Sequence, residues 1–391
     1  MPAPLLLDLT HTSHTRARTG IQRVVRSLRG ALAGRALSVC FDPHESAWRP
    51  LEPWEERNLA AACAAGARGS RWPLRARITG RLRRLSGRAS PLAPGSAGGV
   101  LVPEIFSPEV AAALPGLFAA AEGARVALFH DALALQYPEF TPRLNVARFP
   151  AYLQELLQFD GIAAVSEASR DCLLDYWRWL GATRLPQVVA LPLGIDPAPA
   201  EDGATPPGGV PVVLCVGSIE GRKNHAALLD ACETLWSAGA AFELRLVGLS
   251  NPETGAAALE KLRRLRASGR PVRHDGPVSD QALEAAYRQC AFTVYPSIAE
   301  GFGLPVAESL ARGKPCLCRT EGALGEVARG GGCLSLGAAG PAEIASALGR
   351  LLASPSERST LESEARGRRF KSWGDYATEL LAWTGTLRRN A

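Results

Sequence analysis

Short apolar runs alternate with longer amphipathic stretches along most of the chain. In the first half, four apolar runs are typical of buried β-strands: "PLLLDL", "ARVALFH", "GIAAVS" and "QVVALPLGI". Two stretches place apolar side chains three and four residues apart and predict helices: "GIQRVVRSLRGAL" and "EASRDCLLDYWRWLG". This half of the sequence therefore predicts strands that alternate with helices.

The same pattern restarts after residues 197–211, which include five prolines. Proline and glycine at this density hold neither a helix nor a central strand, so we predict a linker here. Beyond it, four further runs predict strands: "PVVLCVGS", "FELRLVG", "AFTVYPS" and "KPCLCRT". "NHAALLDACETLWSAG" predicts a helix. Nearly unbroken apolar strands are typical of a parallel sheet that is buried on both faces.

Two such series predict an α/β protein with two Rossmann-like, doubly wound parallel-sheet domains, at residues 1–196 and 212–370. A chain of 391 residues is also too long for one ordinary core. Ligands of doubly wound sheets bind beyond the carboxyl ends of the strands. We therefore expect the active site in a cleft between the two domains.

The composition is that of a soluble globular protein, with 47% hydrophobic and 21% charged residues. The start, "MPAPLLLDLT", lacks the basic segment and the apolar length of a signal peptide. The nine cysteines are scattered and form no paired CxxC pattern, which argues against a zinc site. We expect reduced thiols in a cytoplasmic protein, and no bound metal.

A net charge of +6 is concentrated in residues 68–88, which contain eight arginines and no acid. Four apolar residues recur there at helical spacing: Leu74, Ile78, Leu82 and Leu85. The segment is either a solvated surface loop or a patch for an anionic membrane. Nucleic acid is a poorer interpretation, because Trp72 is its one aromatic residue. Gly80 and Gly87 weaken a helix, so we expect the insert to be irregular or mobile.

The segment "YPSIAEGFGLPVAESLARGKPC", residues 295–316, carries the strongest chemical signal. A strand is predicted to end at Tyr295 and a helix to begin near Leu304. Gly301 and Gly303 come just before that helix, where free backbone N–H groups make an anion site that glycine lets a phosphate approach.

Glu300 and Glu308 flank this helix start, and carboxylates accept hydrogen bonds well from paired sugar hydroxyls. A phosphate site between two such acids fits a nucleotide sugar. Taken singly, Glu300 also fits a solvated loop residue, and Glu308 an acid that stabilises the helix dipole.

The segment resembles the E-x7-E motif of retaining glycosyltransferases with the GT-B fold, in the large family four (glycosyl transferases group 1). The resemblance implies that Glu300 contacts hydroxyls of the donor sugar and Glu308 those of the ribose. It also implies four residues that support the sugar and the diphosphate: Gly301, Phe302, Gly303 and Leu304.

"VGSIEGRKN" is similar to the first loop of the second domain in that family. The resemblance implies that Lys223 grips the donor diphosphate, with help from Arg222, whose fork of donors suits phosphate oxygens. Ser218 occupies a donor-binding position where many members of the family carry arginine, so one phosphate contact stays open. Without the family, Arg222 and Lys223 fit ordinary surface charge equally well.

Two segments of the first half are also similar to the family. "ARTGIQRVV" resembles its glycine loop, in which Thr19 and Gly20 approach the diphosphate and Arg23 reaches either the cleft or solvent. "FHDALALQYPE" resembles the segment with a histidine at a strand end. There His130 bonds a donor-sugar hydroxyl and positions the reacting centre, with Asp131 beside it.

Three further matches are supporting marks. "AVSEASR" contains Ser166 and Arg170, and "PLGID" ends at Asp196. "RFKSWGDYATELL" is similar to the closing segment of the family, which implies that residues 371–391 form a helix that crosses back onto the first domain.

The resemblance implies a retaining, metal-independent hexosyltransferase with no cofactor besides its nucleoside-diphosphate sugar. GDP-mannose is the first choice of donor and a UDP-hexose the second. The acceptor is then a glycan or a lipid-linked sugar of polysaccharide or lipopolysaccharide synthesis, and no nucleic acid is involved. The enzyme is expected in the cytoplasm, peripheral to the inner face of the membrane if residues 68–88 bind there.

Two alternatives stay open. One is a nucleotide-sugar epimerase with the GT-B fold. The other is a non-catalytic nucleotide or carbohydrate-binding descendant of the enzyme. The only feature that favours it is Ser218, which stands where many members of the family have arginine.

Overall fold

The computed structural model describes residues 3–61, 71–87, 92–196 and 209–389. Most of the predicted linker, at 197–208, lies outside the described residues, as do both ends of the basic insert. Two compact units are present. The first comprises Met1–Ala132, Ala147–Leu193 and Trp373–Ala391, and the second Leu133–Val146 and Gly194–Ser372.

The first unit contains a seven-stranded sheet in the order β3-β2-β1-β4-β5-β6-β7. Its strands are β1 (Leu5–Asp8), β2 (Ala36–Asp42), β3 (Ala47–Pro50), β4 (Gly99–Val102), β5 (Arg125–Phe129), β6 (Gly161–Ala164) and β7 (Gln187–Ala190). Edge strand β3 pairs antiparallel with β2, and the other pairs are parallel. The predicted strands of the first half are confirmed.

The helices of the first unit connect and cover these strands. They are α1 (Gly20–Ala31), α2 (Pro53–Ala60), α3 (Leu74–Leu85), α4 (Pro108–Ala119), α7 (Glu167–Trp179) and α15 (Trp373–Thr384). The last segment of the chain packs onto the sheet, because Gly161 has no Cβ. A Cβ there would lie 2.7 Å from the Trp383 ring and 2.5 Å from Leu387.

The second unit contains a six-stranded, entirely parallel sheet in the order β10-β9-β8-β11-β12-β13. Its strands are β8 (Val212–Val216), β9 (Glu243–Val247), β10 (Val272–His274), β11 (Phe292–Tyr295), β12 (Cys316–Arg319) and β13 (Cys333–Leu336). All four residues of β11 are buried, as a central strand covered on both faces requires. The predicted second α/β domain is confirmed.

Parallel strands need long crossovers, and helices supply them in the second unit. These are α8 (His225–Ser237), α9 (Pro252–Ala267), α10 (Asp280–Gln289), α11 (Leu304–Ala311) and α12 (Gly322–Ala328). The second unit also contains α5 (Leu133–Gln136), α13 (Pro341–Ala353) and α14 (Pro355–Arg366). The division between the units falls within α6 (Arg143–Glu155). Across the described ranges, no helix combines the length and apolarity needed to cross a membrane.

Each sheet has a point where the direction of strand addition reverses. It lies between β1 and β4 in the first unit and between β8 and β11 in the second. The loops that leave two such strands diverge to opposite faces and open a crevice at the carboxyl edge of the sheet. The fold therefore specifies one candidate crevice in each unit.

The expectation of an irregular or mobile basic insert is wrong for residues 74–85, which form α3. Gly80 permits rather than prevents this helix, because a Cβ there would lie 3.0 Å from the Cβ of His44. Arg83 fixes the helix further through an ion pair of 2.7 Å with Glu52. Just before the helix, the Trp72 ring stacks on His14 with 4.0 Å between centroids.

Substitution of Gly80 tests this close approach. Gly80→Leu should lower the free energy of unfolding by about 1–3 kcal/mol, because the added side chain meets the backbone and side chains near His44. Gly30, in α1, has open space around its Cα, so Gly30→Ala should instead stabilise by about 0.5–1 kcal/mol. Urea unfolding followed by circular dichroism measures both. A free energy of unfolding in Gly80→Leu equal to or above that of the wild type would contradict the packing described for α3.

Candidate functional site

The crevice of the second unit is formed by the segments that follow β8 and β11. After β8, the chain makes a tight 3-10 turn at Gly221–Lys223 and enters α8. After β11, residues 296–303 form the loop that leads into α11. The two segments are joined by a hydrogen bond of 2.8 Å from the backbone N–H of Ile298 to the carbonyl of Arg222.

Three predicted site residues meet across this junction. The Glu300 carboxylate accepts a hydrogen bond of 2.6 Å from Arg222 Nη1 through Oε2. Its Oε1 accepts another from Lys223 Nζ. The side chain of Glu300 is 9% exposed and that of Lys223 is 12% exposed. Glu220, which the sequence analysis missed, pairs with Arg222 Nη2 at 2.8 Å.

The charges in this cluster compensate one another. Burial on its own raises the pKa of the Glu300 carboxyl. The positive charges of Arg222 and Lys223 and the hydrogen bonds they donate outweigh burial and lower that pKa to about 2. Glu300 is therefore a carboxylate at any physiological pH, and the alternative of a solvated loop acid is excluded.

Local backbone geometry fixes the turn that carries the two cations. Asn224 follows Lys223 in the left-handed region, at φ 57° and ψ 32°, which asparagine tolerates better than most residues. Its side-chain amide donates a hydrogen bond of 2.9 Å to the carbonyl of Ala339. Gly221 starts the turn, and a Cβ there would lie 2.6 Å from the Phe140 ring. The positions of Arg222 and Lys223 are thus set from both sides.

The start of α11 lies at the same edge of the sheet. Gly303 precedes the helix at φ +98°, and a Cβ there would lie 2.8 Å from Leu324 Cδ2. Both the left-handed backbone and the lack of space for a side chain therefore require glycine. Pro305 occupies the first turn, where a missing N–H costs nothing. Gly301 is buried, and Phe302 and Leu304 are half-buried. The positive end of the helix dipole is directed at this loop.

Glu308 lies one turn into α11 and is 6% exposed. Its Oε2 accepts a hydrogen bond of 3.2 Å from the Tyr287 hydroxyl. The Arg312 guanidinium stacks over the Tyr287 ring at 4.8 Å and donates to the backbone carbonyl of Glu308 at 2.9 Å. Glu308 is therefore held in place by two residues that the sequence analysis missed.

Ser218 lies two residues beyond the end of β8 and is half-buried. It belongs to the segment that leads from β8 to the turn with Arg222. The role of a phosphate contact at this position stays a prediction.

In the first unit, His130 directly follows β5 and is buried. Its Nε2 lies 2.8 Å from the carbonyl oxygen of Pro103. A carbonyl only accepts, so Nε2 carries the hydrogen. Burial lowers the pKa of His130, although the bond to Pro103 and the charge of Asp131 oppose it. The ring is therefore neutral, and Nδ1 is an acceptor.

Two buried acids at the crevice of the first unit were missed by the sequence analysis. Asp8 ends β1, and Glu104 follows β4 by two residues. Glu104 accepts hydrogen bonds of 2.8 Å from the backbone N–H groups of His11 and Thr12. Burial, and then the charge of Glu104, raise the pKa of Asp8 to about 7, and burial raises that of Glu104. The one signal in the sequence for this pair of buried acids is the row of polar residues that follows the apolar run "LLLD".

The remaining predicted residues of the first unit lie at helix starts. Thr19 and Gly20 open α1, and the Thr19 hydroxyl contacts Gln22 within the first turn. Ser166 caps α7 by accepting a hydrogen bond of 3.0 Å from the N–H of Ser169. The Ser169 hydroxyl in turn donates to the carbonyl of His130 at 3.0 Å, so these two strand ends are linked.

Arg23 lies in the first turn of α1 and is half-buried. Arg170 pairs with its neighbours Glu167 and Asp171 on α7 at 3.3 and 2.9 Å. Asp196 is exposed. The roles that the resemblance gave to these residues stay predictions.

Comparison with solved structures defines the class. HepE of Anabaena, solved with UDP and glucose, superposes with a TM-score of 0.69 and covers 98% of this chain and 100% of its own, at 15% sequence identity. At that identity the likeness concerns the fold, which is the two-domain GT-B architecture. The predicted fold class is confirmed, and the cleft expected between the domains stays a prediction.

The family model "Glycosyl transferases group 1" matches residues 210–354 of this chain. The matched range includes Arg222, Lys223, Glu300 and Glu308. The serotype-specific mannosyltransferase WbdA of Escherichia coli is 26% identical over 370 residues, 89% of this chain and 42% of WbdA. The O-antigen chain mannosyltransferase B of Escherichia coli is 27% identical over 66% of this chain and 68% of its own.

The chain thus spans less than half the length of WbdA. The resemblance to glycosyl transferases group 1 that the E-x7-E segment indicated is confirmed by these matches.

The low pKa of Glu300 predicts an acid-dependent loss of stability. A carboxyl whose pKa is about 2 in the folded chain and about 4.3 when unfolded stabilises the fold above pH 4.3 and loses this contribution as the pH falls towards 2. The loss is about 3 kcal/mol.

Urea unfolding at pH 6, 4 and 3 measures this loss in the wild type, in Glu300→Gln and in Glu321→Gln. Glu321 is the control because its carboxylate is 72% exposed. Between pH 6 and pH 3 the Glu300 contribution falls by about 1.5–2 kcal/mol, so Glu300→Gln should flatten the pH dependence by that amount, and Glu321→Gln should leave it unchanged. A wild-type slope in Glu300→Gln would show that the ion cluster does not hold in solution.

Proposed function

We propose that the chain is a retaining hexosyltransferase that moves a sugar from a nucleoside diphosphate to a hydroxyl of a glycan or lipid-linked acceptor. The observation that carries the proposal is the buried cluster of Glu300, Arg222 and Lys223 at the crevice of the second unit. It lies beside the start of α11, within the residues that match the glycosyl transferases group 1 family model.

Negative charge grows on the diphosphate when the bond to the sugar breaks. Arg222 and Lys223 offer it two positive charges, and the start of α11 adds backbone N–H groups and the helix dipole. Preorganised charge of this kind stabilises a transition state without further reorganisation. Because the protein itself supplies this charge, we propose that transfer needs neither a divalent metal nor a cofactor.

A diphosphate that binds Arg222 and Lys223 competes with Glu300 for the same donors. The carboxylate is then available to accept hydrogen bonds from sugar hydroxyls. Glu308, held by Tyr287 and Arg312, accepts in the same way from the two hydroxyls of the ribose. In the first unit, neutral His130 offers Nδ1 as an acceptor suited to a sugar hydroxyl.

In a retaining reaction of this type, the acceptor hydroxyl attacks the face from which the diphosphate leaves. The anomeric carbon–oxygen bond to phosphate breaks, the bond to the acceptor oxygen forms, and the leaving phosphate oxygen takes the acceptor proton. No enzymic nucleophile is needed. Mannose is the proposed sugar because two relatives are named mannosyltransferases, and GDP is the first choice of nucleotide, followed by UDP.

Variants of the cluster separate binding from chemistry. Lys223→Ala should weaken GDP or UDP binding by about 10–100-fold, the value of a hydrogen bond to a charged group. Lys261→Ala is the matched control, because Lys261 pairs with Asp230 elsewhere on the second unit. Isothermal calorimetry measures both. An unchanged dissociation constant in Lys223→Ala would remove Lys223 from the donor site.

Glu300→Gln should retain nucleotide binding and lower the rate of transfer by about 100–1,000-fold, because it removes the negative charge and replaces one accepting oxygen by an NH2 donor at the reacting centre. Product formation from GDP-mannose with a mannosyl-glycan acceptor is measured. Incubation of the donor without acceptor separates the alternatives: conversion of the free donor would support an epimerase. Wild-type turnover in Glu300→Gln would refute the mechanism.

We further propose that α3 places the protein on an anionic membrane surface at the cytoplasmic side. Four apolar side chains of α3 face solvent, with exposures of 68%, 49%, 60% and 84%: Leu74, Ile78, Leu82 and Leu85. Residues 71–87 also contain six arginines and no acid. Exposed leucines flanked by arginine are typical of helices that lie in the membrane interface.

Co-sedimentation with vesicles tests this surface. Leu82→Ser with Leu85→Ser should lower binding to vesicles that contain anionic lipid by at least about tenfold, because each side chain buries several methylene groups. Leu144→Ser is the control, since Leu144 is 69% exposed on α6. Wild-type binding should weaken with added salt. Equal binding by both variants, or none by the wild type, would exclude a membrane role for α3.

A further inference from the structure

Three cysteines lie together on one face of the second sheet. Cys316 and Cys318 alternate with Leu317 on β12, so both point to the same face. Cys333 opens β13 and is the direct parallel partner of Cys316. The Sγ atoms of all three lie within 4.8 Å of one another. A CxxC search of the sequence does not find this group, because pairing of strands creates it.

The segment before Cys333 is held close to α14. Gly331 and Gly332 adopt φ values of +94° and +82°, and a Cβ at Gly332 would lie 2.7 Å from Leu310 Cδ2. Glu364 accepts a hydrogen bond of 2.8 Å from the N–H of Gly332, and Arg368 donates one of 3.0 Å to the carbonyl of Gly331. These contacts fix the position of Cys333 relative to β12.

The three sulfurs differ in their access to solvent. Cys316 and Cys318 are buried, and Cys333 is partly accessible. The Arg368 guanidinium lies next to the segment that carries Cys333, through its hydrogen bond to the carbonyl of Gly331.

We propose that Cys316, Cys318 and Cys333 form a binding site for a soft metal ion of low coordination number, of which Cu⁺ is the biological example. Thiolates select Cu⁺ over harder ions. Within the described residues the group has three ligands, whereas structural zinc sites have four. Binding forms metal–sulfur bonds and releases the thiol protons to solvent, with no change of oxidation state.

The site is separate from the donor crevice, since its sulfurs lie on a face of the sheet and Glu300 lies in the loop after β11. It therefore stands or falls independently of sugar transfer. Occupation would join β12 to β13 and stabilise the folded second unit, because an ion that binds only the folded state raises the melting temperature.

The test is an anaerobic titration of the fully reduced protein with Cu⁺ as its bicinchoninate complex. The wild type should withdraw one Cu⁺ per chain from the chromophore. Cys318→Ser and Cys333→Ser should each lower the affinity for Cu⁺ at least about 100-fold. A residue that only supports the ligands of a metal site changes the affinity by at most about 100-fold, so a larger loss identifies a ligand. Cys172→Ser, in the first unit, is the control and should bind like the wild type.

A second measurement covers variants that fold poorly. Cu⁺ added to the wild type should protect Cys333, the partly accessible member of the group, from alkylation by N-ethylmaleimide, as read by mass spectrometry of peptides, and should leave Cys172 reactive. Zn²⁺ is tested in parallel and should protect less. Equal Cu⁺ affinity in the wild type and in Cys318→Ser, or alkylation unaffected by Cu⁺, would show that the three thiols only fill the core.

Discussion

The second unit is organised around one electrostatic constraint: a buried carboxylate, Glu300, must be shared by two cations that come from a different strand. Arg222 and Lys223 follow β8, and Glu300 follows β11. Only the direct pairing of β8 with β11 brings these loops together. An unpaired charge at that depth would cost several kcal/mol. The burial of Glu300 therefore depends on the strand order that places its two cations beside it.

The pKa values of the buried carboxyl groups shift in opposite directions in the two crevices. In the second unit, cations compensate Glu300 and keep it ionised. In the first unit, Asp8 and Glu104 lie at the equivalent switch point, where burial raises the pKa of both carboxyl groups and the charge of Glu104 raises that of Asp8 further. One crevice is therefore suited to groups that carry or develop negative charge, and the other to neutral hydroxyl-bearing groups.

Periodicity predicted the strands and helices of both sheets, because nearly continuous apolar runs are specific to central parallel strands. The E-x7-E segment predicted Glu300 and Glu308, since glycine and proline mark a strand-to-helix turn. The helical spacing of the apolar residues of α3 pointed to a helix, but Gly80 argued against one, because its close approach to His44 is a tertiary contact. Tyr287, Arg312 and the three-cysteine group depend on tertiary contacts between distant segments, which no local pattern encodes.

The second unit includes residues 133–146, which precede part of the first unit in the chain. Phe140 of this excursion lies against Gly221, beside the turn that carries the cations. A gene fragment that starts at residue 209 would lack this support. Recombination that exchanges the second unit between relatives would also have to transfer residues 133–146. The two units are therefore less independent in the gene than their separate sheets suggest.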